Sequence, residues 1–434
     1  MHVAIITAGG AGMFCGSCMH DNTWARALLA AGADVSLIPT YTPIRVDEAD
    51  VSLSHVFFGG LNVYFASKWR WWNAVPRVFK QWLDHPGVIR FATKLAVSNN
   101  ARELGTLTLD MLAGEAGPQA EQVEELARFI AEQIRPDIVV FSNALLAGAV
   151  RRIKELFPGP VLCVLQGDDI FLNSLPESDH PKVMEALRNR VRDFDRFITH
   201  SRYYAEFMAS LFFPDVQERE SIAKRFHVLP LGIDLRGHDG TPRAANDPFT
   251  IGYFARLCPE KGLHHLVDAF SRLHLRQPRT RLCIGGYLGE RDQRFVEHVR
   301  AQAARLGPAV QFVGSPATHF EKVQFLKSLD VLSVPTVYHE PKGLSILEAL
   351  ANGVPVVQPA HGSFPELLEA TQGGLLFAPG NLDELATQWE RLLKQPDERL
   401  RLGTLGQQNV RDKFSAAVLA DQTLDLFRSL TRTT

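Results

Sequence analysis

Two series of alternating strand-like and helix-like segments fill most of this chain, and that alternation restricts its fold more than any other feature. His2–Thr7 is apolar and runs into glycines, which suits a strand buried on both faces. Asn22–Ala31 is rich in Ala and Leu and stops at Gly32, as a helix with a glycine past its end does. Asp34–Thr40, Ile138–Ser142, Val161–Gln166, Phe197–Ser201 and His227–Leu231 read as further strands with helical stretches between them. A second series begins after Gly237–Pro248, a linker rich in Gly, Pro, Asp and Asn. Its strands fall at Thr250–Ala255, Arg281–Ile284, Val310–Val313, Val331–Val334, Val354–Gln358 and Gly374–Phe377, and the chain is helical from Leu382. Such alternation builds βαβ units and a parallel sheet. At 434 residues the chain exceeds what one core organises, about 250–300 residues. The prediction is an α/β protein of two domains, 1–240 and 241–414, with a last helix over 415–434 and an excursion over 44–118 in the first domain.

Charge and composition narrow the partners. Lys and Arg number 46 against 48 Asp and Glu, a net charge of −2, so no basic footprint for nucleic acid exists. The opening MHVAIITAGGAG has no basic residue before its apolar run and reads as a strand and loop, not a signal peptide. The apolar-biased stretch Ile138–Val150 is broken by Ser142 and Asn143 and is too short to span a bilayer. Five cysteines, sparse and odd in number, fit a reducing compartment, so the expected location is the cytoplasm. Lys68–Lys94 is an exception to the even charge: six basic residues and one acid, 6 − 1 = +5, with four of the six tryptophans. The plain reading packs those tryptophans on the sheet. The functional one is peripheral contact with the inner membrane face or with an anionic, lipid-linked or glycan acceptor.

The sharpest chemical pattern is Glu340-Pro-Lys-Gly-Leu-Ser-Ile-Leu-Glu348. Glu340 lies in the loop after a strand, and Gly343 opens a helix and lets backbone approach a ligand. The N–H groups of Gly343, Leu344 and Ser345 would point from that helix terminus toward a phosphate. Glu348, a turn further in, can accept two ribose hydroxyls, and Glu340 at the mouth can accept hydroxyls of a sugar. Upstream, Arg256-Leu-Cys-Pro-Glu-Lys261-Gly262 follows a strand and opens a helix, and two cations at a strand's carboxyl end can hold a diphosphate. Taken alone, these two are as well read as solvated surface charges.

These residues carry a resemblance. YFARLCPEKGLHHLVDAF, VQFVGS, LDVLSVPTVYHEPKGLSILEALANGVPVVQPAHGSFPELL and GGLLFAPGNLDELA resemble, in order, the retaining glycosyltransferases of family 4 and their GT-B fold of two Rossmann-like domains facing across a cleft. The first half is similar more loosely, through its Gly-rich loop and LPLGID, where the family usually has Asn in place of Leu231. The resemblance implies a nucleotide-diphosphate sugar donor in the C-terminal domain, an acceptor on the N-terminal one, no metal or other cofactor, and a last helix that crosses back. It places Arg256 and Lys261 on the diphosphate, Glu348 on ribose, Glu340 on the transferred sugar and backbone around Gly314 beside the base. Lys342 stands where relatives have an aromatic or small residue. It either neutralises Glu340 or recognises an acidic group on substrate.

On the acceptor side the resemblance directs attention to Gly10, Gly12 and Gly16 of the Gly-rich loop, and to Asn143, Gln166 and Asp168. Gln166 replaces the family's histidine, so it can hydrogen-bond a sugar hydroxyl but cannot take a proton. Cys15-Gly-Ser-Cys18 is read as tight packing before a redox pair, and no second CxxC offers zinc its remaining ligands. His20-Asp21 reads as a helix-start charge pair, with Asp21 as a cap, before an acceptor-side acid and base. Asp193-Phe-Asp195 has the form of a DxD metal motif but reads as surface acids, and His264-His265 as surface or packing residues. The rivals are an epimerase or disaccharide phosphorylase on the same fold, and a non-catalytic sugar-nucleotide-binding protein.

Overall fold

The computed structural model describes residues 1–9, 16–54, 56–57 and 101–432. Gly10, Gly12, Cys15 and the Trp-rich stretch 68–94, with the membrane or acceptor contact expected of it, lie outside the described residues. The chain divides into two units: Met1–His200, Tyr204–Leu229 and Leu419–Thr434 form the first, and Ser201–Tyr203 with Pro230–Val418 the second.

In the first unit, β1 (His2–Thr7), β2 (Asp34–Pro39), β3 (Ile138–Phe141), β4 (Val161–Val164), β5 (Arg196–Thr199) and β6 (Phe226–Val228) make one sheet in the order β2-β1-β3-β4-β5-β6. Every pairing is parallel. The four-residue β3 and β4 are buried throughout, as their continuous Val/Ile/Leu runs require. The first helix is Gly16–Ala30, not Asn22–Ala31. Its opening turns carry buried polar residues in place of an apolar stripe: Asn22 donates to the Ala49 carbonyl at 3.0 Å and accepts from the Val51 amide at 3.1 Å. The last helix, Ala416–Thr431, enters this unit's core. Leu419, Leu424 and Phe427 pack with Leu28 and Trp24, and the Trp24 indole donates to Thr423 at 3.0 Å.

In the second unit, β7 (Phe249–Phe254), β8 (Thr280–Gly285), β9 (Val310–Gly314), β10 (Val331–Leu332), β11 (Val356–Pro359) and β12 (Gly374–Phe377) run parallel in the order β12-β11-β10-β7-β8-β9. This unit starts at Pro230, upstream of the Gly237–Pro248 linker. Leu231 and Ile233 sit in its core, and the Ile233 amide donates to the Phe414 carbonyl at 2.9 Å. The linker itself is tied down: Asp330, just before β10, accepts from the amides of Asn246 at 2.9 Å and Thr250 at 2.7 Å. Gly240 and Pro242 there lie against Asn352 and Gly353, just past the end of helix Leu344–Ala351. The fold class is α/β with two parallel six-stranded sheets flanked by helices. Among the described residues no helix is long and apolar enough to cross a membrane.

Candidate active site

The loops leaving the carboxyl ends of β7, β10 and β11 bring the second unit's charged residues together. Gly262 ends the β7 loop and opens helix Leu263–Arg276 with φ +70°. A Cβ on it would stand 1.7 Å from the Pro335 carbonyl oxygen, so only glycine lets the β7 and β10 loops meet there. Lys261, one residue before, thereby reaches the β10 loop. Its ammonium donates to Glu340 Oε2 and to the Tyr338 hydroxyl, each at 2.5 Å. The Tyr338 hydroxyl donates to the same carboxylate oxygen at 2.6 Å. Gly362, after β11, holds the Glu340 backbone from behind: a Cβ there would lie 2.6 Å from both its nitrogen and its oxygen.

Glu340 is buried. Burial alone raises a carboxyl pKa, but the charge and hydrogen bond of Lys261, then the Tyr338 hydroxyl, outweigh it and hold Glu340 below the usual carboxylate range. The Tyr338 phenol is pushed well up by burial and by Glu340. Arg256 is close enough to that phenol to oppose the shift. Its own side chain lies against Cys258 Sγ at 3.2 Å and Glu260 at 3.5 Å, not on Glu340. Lys342 is half-buried, and its charge also lowers Glu340, but Lys261 is the ion-pair partner. Lys342 thus adds its charge to the neutralisation of Glu340 that Lys261 supplies at hydrogen-bond distance.

Helix Leu344–Ala351 starts directly after Gly343. The Leu344 and Ser345 amides fall in its first turn, where no intrahelical acceptor exists. The Gly343 amide is not free as expected: it turns back to Glu340 Oε1 at 3.4 Å. Glu348 lies on the same helix, buried, and its Oε1 pairs with the Lys322 ammonium at 2.7 Å. Gly314 closes β9 at the sheet edge, is exposed, and accepts from the Gly286 amide at 2.9 Å.

In the first unit the sequence-predicted residues meet in an internal network. Asp21 is not a helix cap; it lies inside helix Gly16–Ala30, whose first residue is Gly16. Its carboxylate accepts from Thr7 at 2.7 Å and from the Gln166 side-chain amide at 2.8 Å. Gln166 Nε2 also donates to the Ser142 carbonyl at 3.2 Å, so the nitrogen end of this amide is bonded within the protein. Asp168, expected on the acceptor, is buried and accepts from the amides of Ala144 at 2.6 Å and Gln166 at 3.0 Å. Burial raises its pKa to about 6 despite those bonds. Asn143 accepts from the Leu145 amide at 3.0 Å and caps the turn that follows β3. His20 stacks edge-on against His200, ring centres 4.5 Å apart. Asp193 and Asp195 pair with Arg151 and Lys154, and Asp195 also accepts from the amide of Val161, the first residue of β4. His264 and His265 pack on each other, with Phe295 against His264.

Residues 239–409 match the family described as "Glycosyl transferases group 1". That match lies wholly in the second unit. The chain is 27 % identical over 301 residues to a Mycobacterium tuberculosis glycogen synthase, covering 69 % of this chain and 70 % of that one. It is 29 % identical over 208 residues to the MMP alpha-(1->4)-mannosyltransferase of Mycolicibacterium hassiacum, 47 % and 48 % of the two chains. Among solved structures, sucrose-phosphate synthase from Thermosynechococcus elongatus aligns over 100 % of both chains with TM-score 0.71 at 18 % identity. HepE from Anabaena, solved with UDP-glucose, aligns over 99 % of this chain and 100 % of that one with TM-score 0.64 at 19 % identity. The fold is of the GT-B type.

Sequence reasoning missed two residues of this site. Tyr338 stands two places before Glu340 in a loop whose one visible signal was the glutamate. Lys322 lies on helix His319–Lys327, where a lysine reads as solvated until the partner beneath it is seen.

Proposed function

We propose that this chain is a retaining, metal-independent glycosyltransferase of family 4 that moves a sugar from a nucleoside diphosphate sugar to a glycan, lipid-linked or small-molecule hydroxyl. The observation that carries the reading is the Lys261–Tyr338–Glu340 cluster set before the open first turn of helix Leu344–Ala351. A sugar departing as an oxocarbenium-like species throws negative charge onto its diphosphate. Lys261, Arg256 and the Leu344 and Ser345 amides supply fixed positive charge and dipoles, and such groups stabilise the transition state more than the ground state. One preorganised donor of this kind is worth about 3–4 kcal/mol in other enzymes. Two side-chain cations give the diphosphate the charge that a metal would otherwise provide. Glu340, ionised and oriented by its two partners, suits hydroxyls of the transferred sugar. HepE's complex with UDP-glucose lends support from the same fold.

Thermal-shift titration with UDP-, GDP- and ADP-sugars, followed by NMR of the products, tests the reading. The expected products are a free nucleoside diphosphate and a glycoside with the donor's anomeric configuration, formed equally well with EDTA. An inverted product, or loss of turnover in EDTA, would overturn it. An epimerised nucleotide sugar or a sugar 1-phosphate would point to the rival enzyme classes.

A further inference from the structure

Resting on that reading of the donor site, we propose that Lys322 is a positioning residue that fixes Glu348 for ribose and so makes the enzyme select ribonucleotide donors. Lys322 and Glu348 sit on different helices of the second unit, His319–Lys327 and Leu344–Ala351. Their side chains are 5 % and 8 % exposed, and the ammonium meets Glu348 Oε1 at 2.7 Å. Such a pair is a poor device for stability, because an apolar pair of equal volume often serves as well or better. Its value lies in fixing a carboxylate. The pair is made through Oε1. The backbone of Glu348 is held as well: its carbonyl accepts from Asn352 at 2.9 Å, and Asn352 meets His238 Nδ1 at 2.8 Å. A group held this way gives up little rotamer freedom when a ligand arrives.

The placement of the two helices gives the pair its meaning. Helix His319–Lys327 follows directly on the Gly314–Thr318 loop after β9, the segment expected beside the base. Glu348 is the group expected on ribose. Lys322 therefore ties the base side of the site to its ribose side, across the span of one nucleoside. The 2′- and 3′-hydroxyls would donate to Glu348. A nucleotide lacking them would leave a buried carboxylate oxygen short of a donor, the situation in which polar sites discriminate most strongly.

Calorimetric titration of the full chain with UDP, GDP and ADP and their 2′,3′-dideoxy forms tests this. The wild type should bind one ribonucleotide at least tenfold tighter than its dideoxy form. Lys322→Met should bring that ratio to within about twofold, and Lys322→Arg should keep most of it. Should the methionine variant fail to fold, Lys322→Gln, which retains a neutral donor, is read the same way. A variant that keeps the wild-type ratio would make Lys322 a packing residue and overturn the inference. So would a wild type that binds both forms equally, which would also remove Glu348 from the ribose. A wild type that binds no nucleoside diphosphate would instead overturn the donor-site reading on which the inference stands.

Discussion

Lys261 and Glu340 compensate each other in a largely buried setting, so removing one leaves the other exposed to the full cost of desolvation. Lys261→Met should therefore destabilise the second unit by about 3 kcal/mol in urea unfolding and abolish detectable turnover. Tyr338→Phe removes one hydrogen bond to the same carboxylate and should cost about 1–2 kcal/mol, with a smaller loss of turnover. Asp168 gives a pH signature in the other unit. Its pKa is raised to about 6 in the folded protein, against about 3.9 unfolded, so the folded state binds the proton more readily. The sign follows: this group favours folding below its unfolded pKa, and that contribution is lost as pH rises through about 6. Between pH 7 and pH 4 the wild type should gain on Asp168→Asn by about 2–3 kcal/mol, read as the difference between their unfolding free energies. Glu340, Lys261 and Arg256 were visible in the sequence because each sits at a fixed offset from a strand end and a glycine. Gln166 and Asp168 were visible as residues but not as internal bonds. Whether a polar side chain faces solvent or a neighbouring strand's amide is settled by packing between distant segments, which spacing does not encode.

At the level of elements, most strands were legible because parallel strands buried on both faces must be continuous apolar runs. Helix Gly16–Ala30 was read short, since His20, Asp21 and Asn22 break the apolar periodicity while being buried with partners. The glycines that join elements were less legible than their neighbours. Nothing in Lys261-Gly262-Leu263 announces that the Pro335 carbonyl fills the space of a Cβ. Gly262→Ala meets both a positive φ and that carbonyl at 1.7 Å, so the β7 and β10 loops must separate. It should cost about 2–4 kcal/mol and weaken nucleoside diphosphate binding at least tenfold by withdrawing Lys261. Gly380→Ala separates the two effects. Its φ is +78° but a Cβ there meets nothing within 4 Å, so strain alone remains, about 1 kcal/mol, and binding should be unchanged. Equal losses in the two variants would show that the β7–β10 junction plays no part in placing Lys261.

At the scale of the whole molecule, two hydrophobic cores among the described residues share no residue. One gathers Val3, Trp24, Ile138, Leu162 and Phe427, the other Phe249, Phe270, Leu332, Leu350 and Trp389. The C-terminal helix contributes to the first, so the chain's last residues stabilise its opening segment. A perturbation of one core should then leave the other's melting unchanged. Phe427 is fully buried against Trp24, and Phe427→Ala should cost about 3–5 kcal/mol through lost burial and the cavity left behind. Scanning calorimetry should show two transitions, and this variant should lower one of them by several degrees. A nucleoside diphosphate bound in the second unit should act on the other. At a hundredfold excess over its dissociation constant it adds about 2.7 kcal/mol to whichever structure binds it. The transition that Phe427→Ala lowers belongs to the first core, since Phe427 packs there with Trp24. A single transition that moves for both perturbations would mean that the two cores unfold as one cooperative block. A ligand shift in the transition that Phe427→Ala lowers would mean that the nucleotide is held by the first unit, and Lys261 and Glu340 would lose their proposed role.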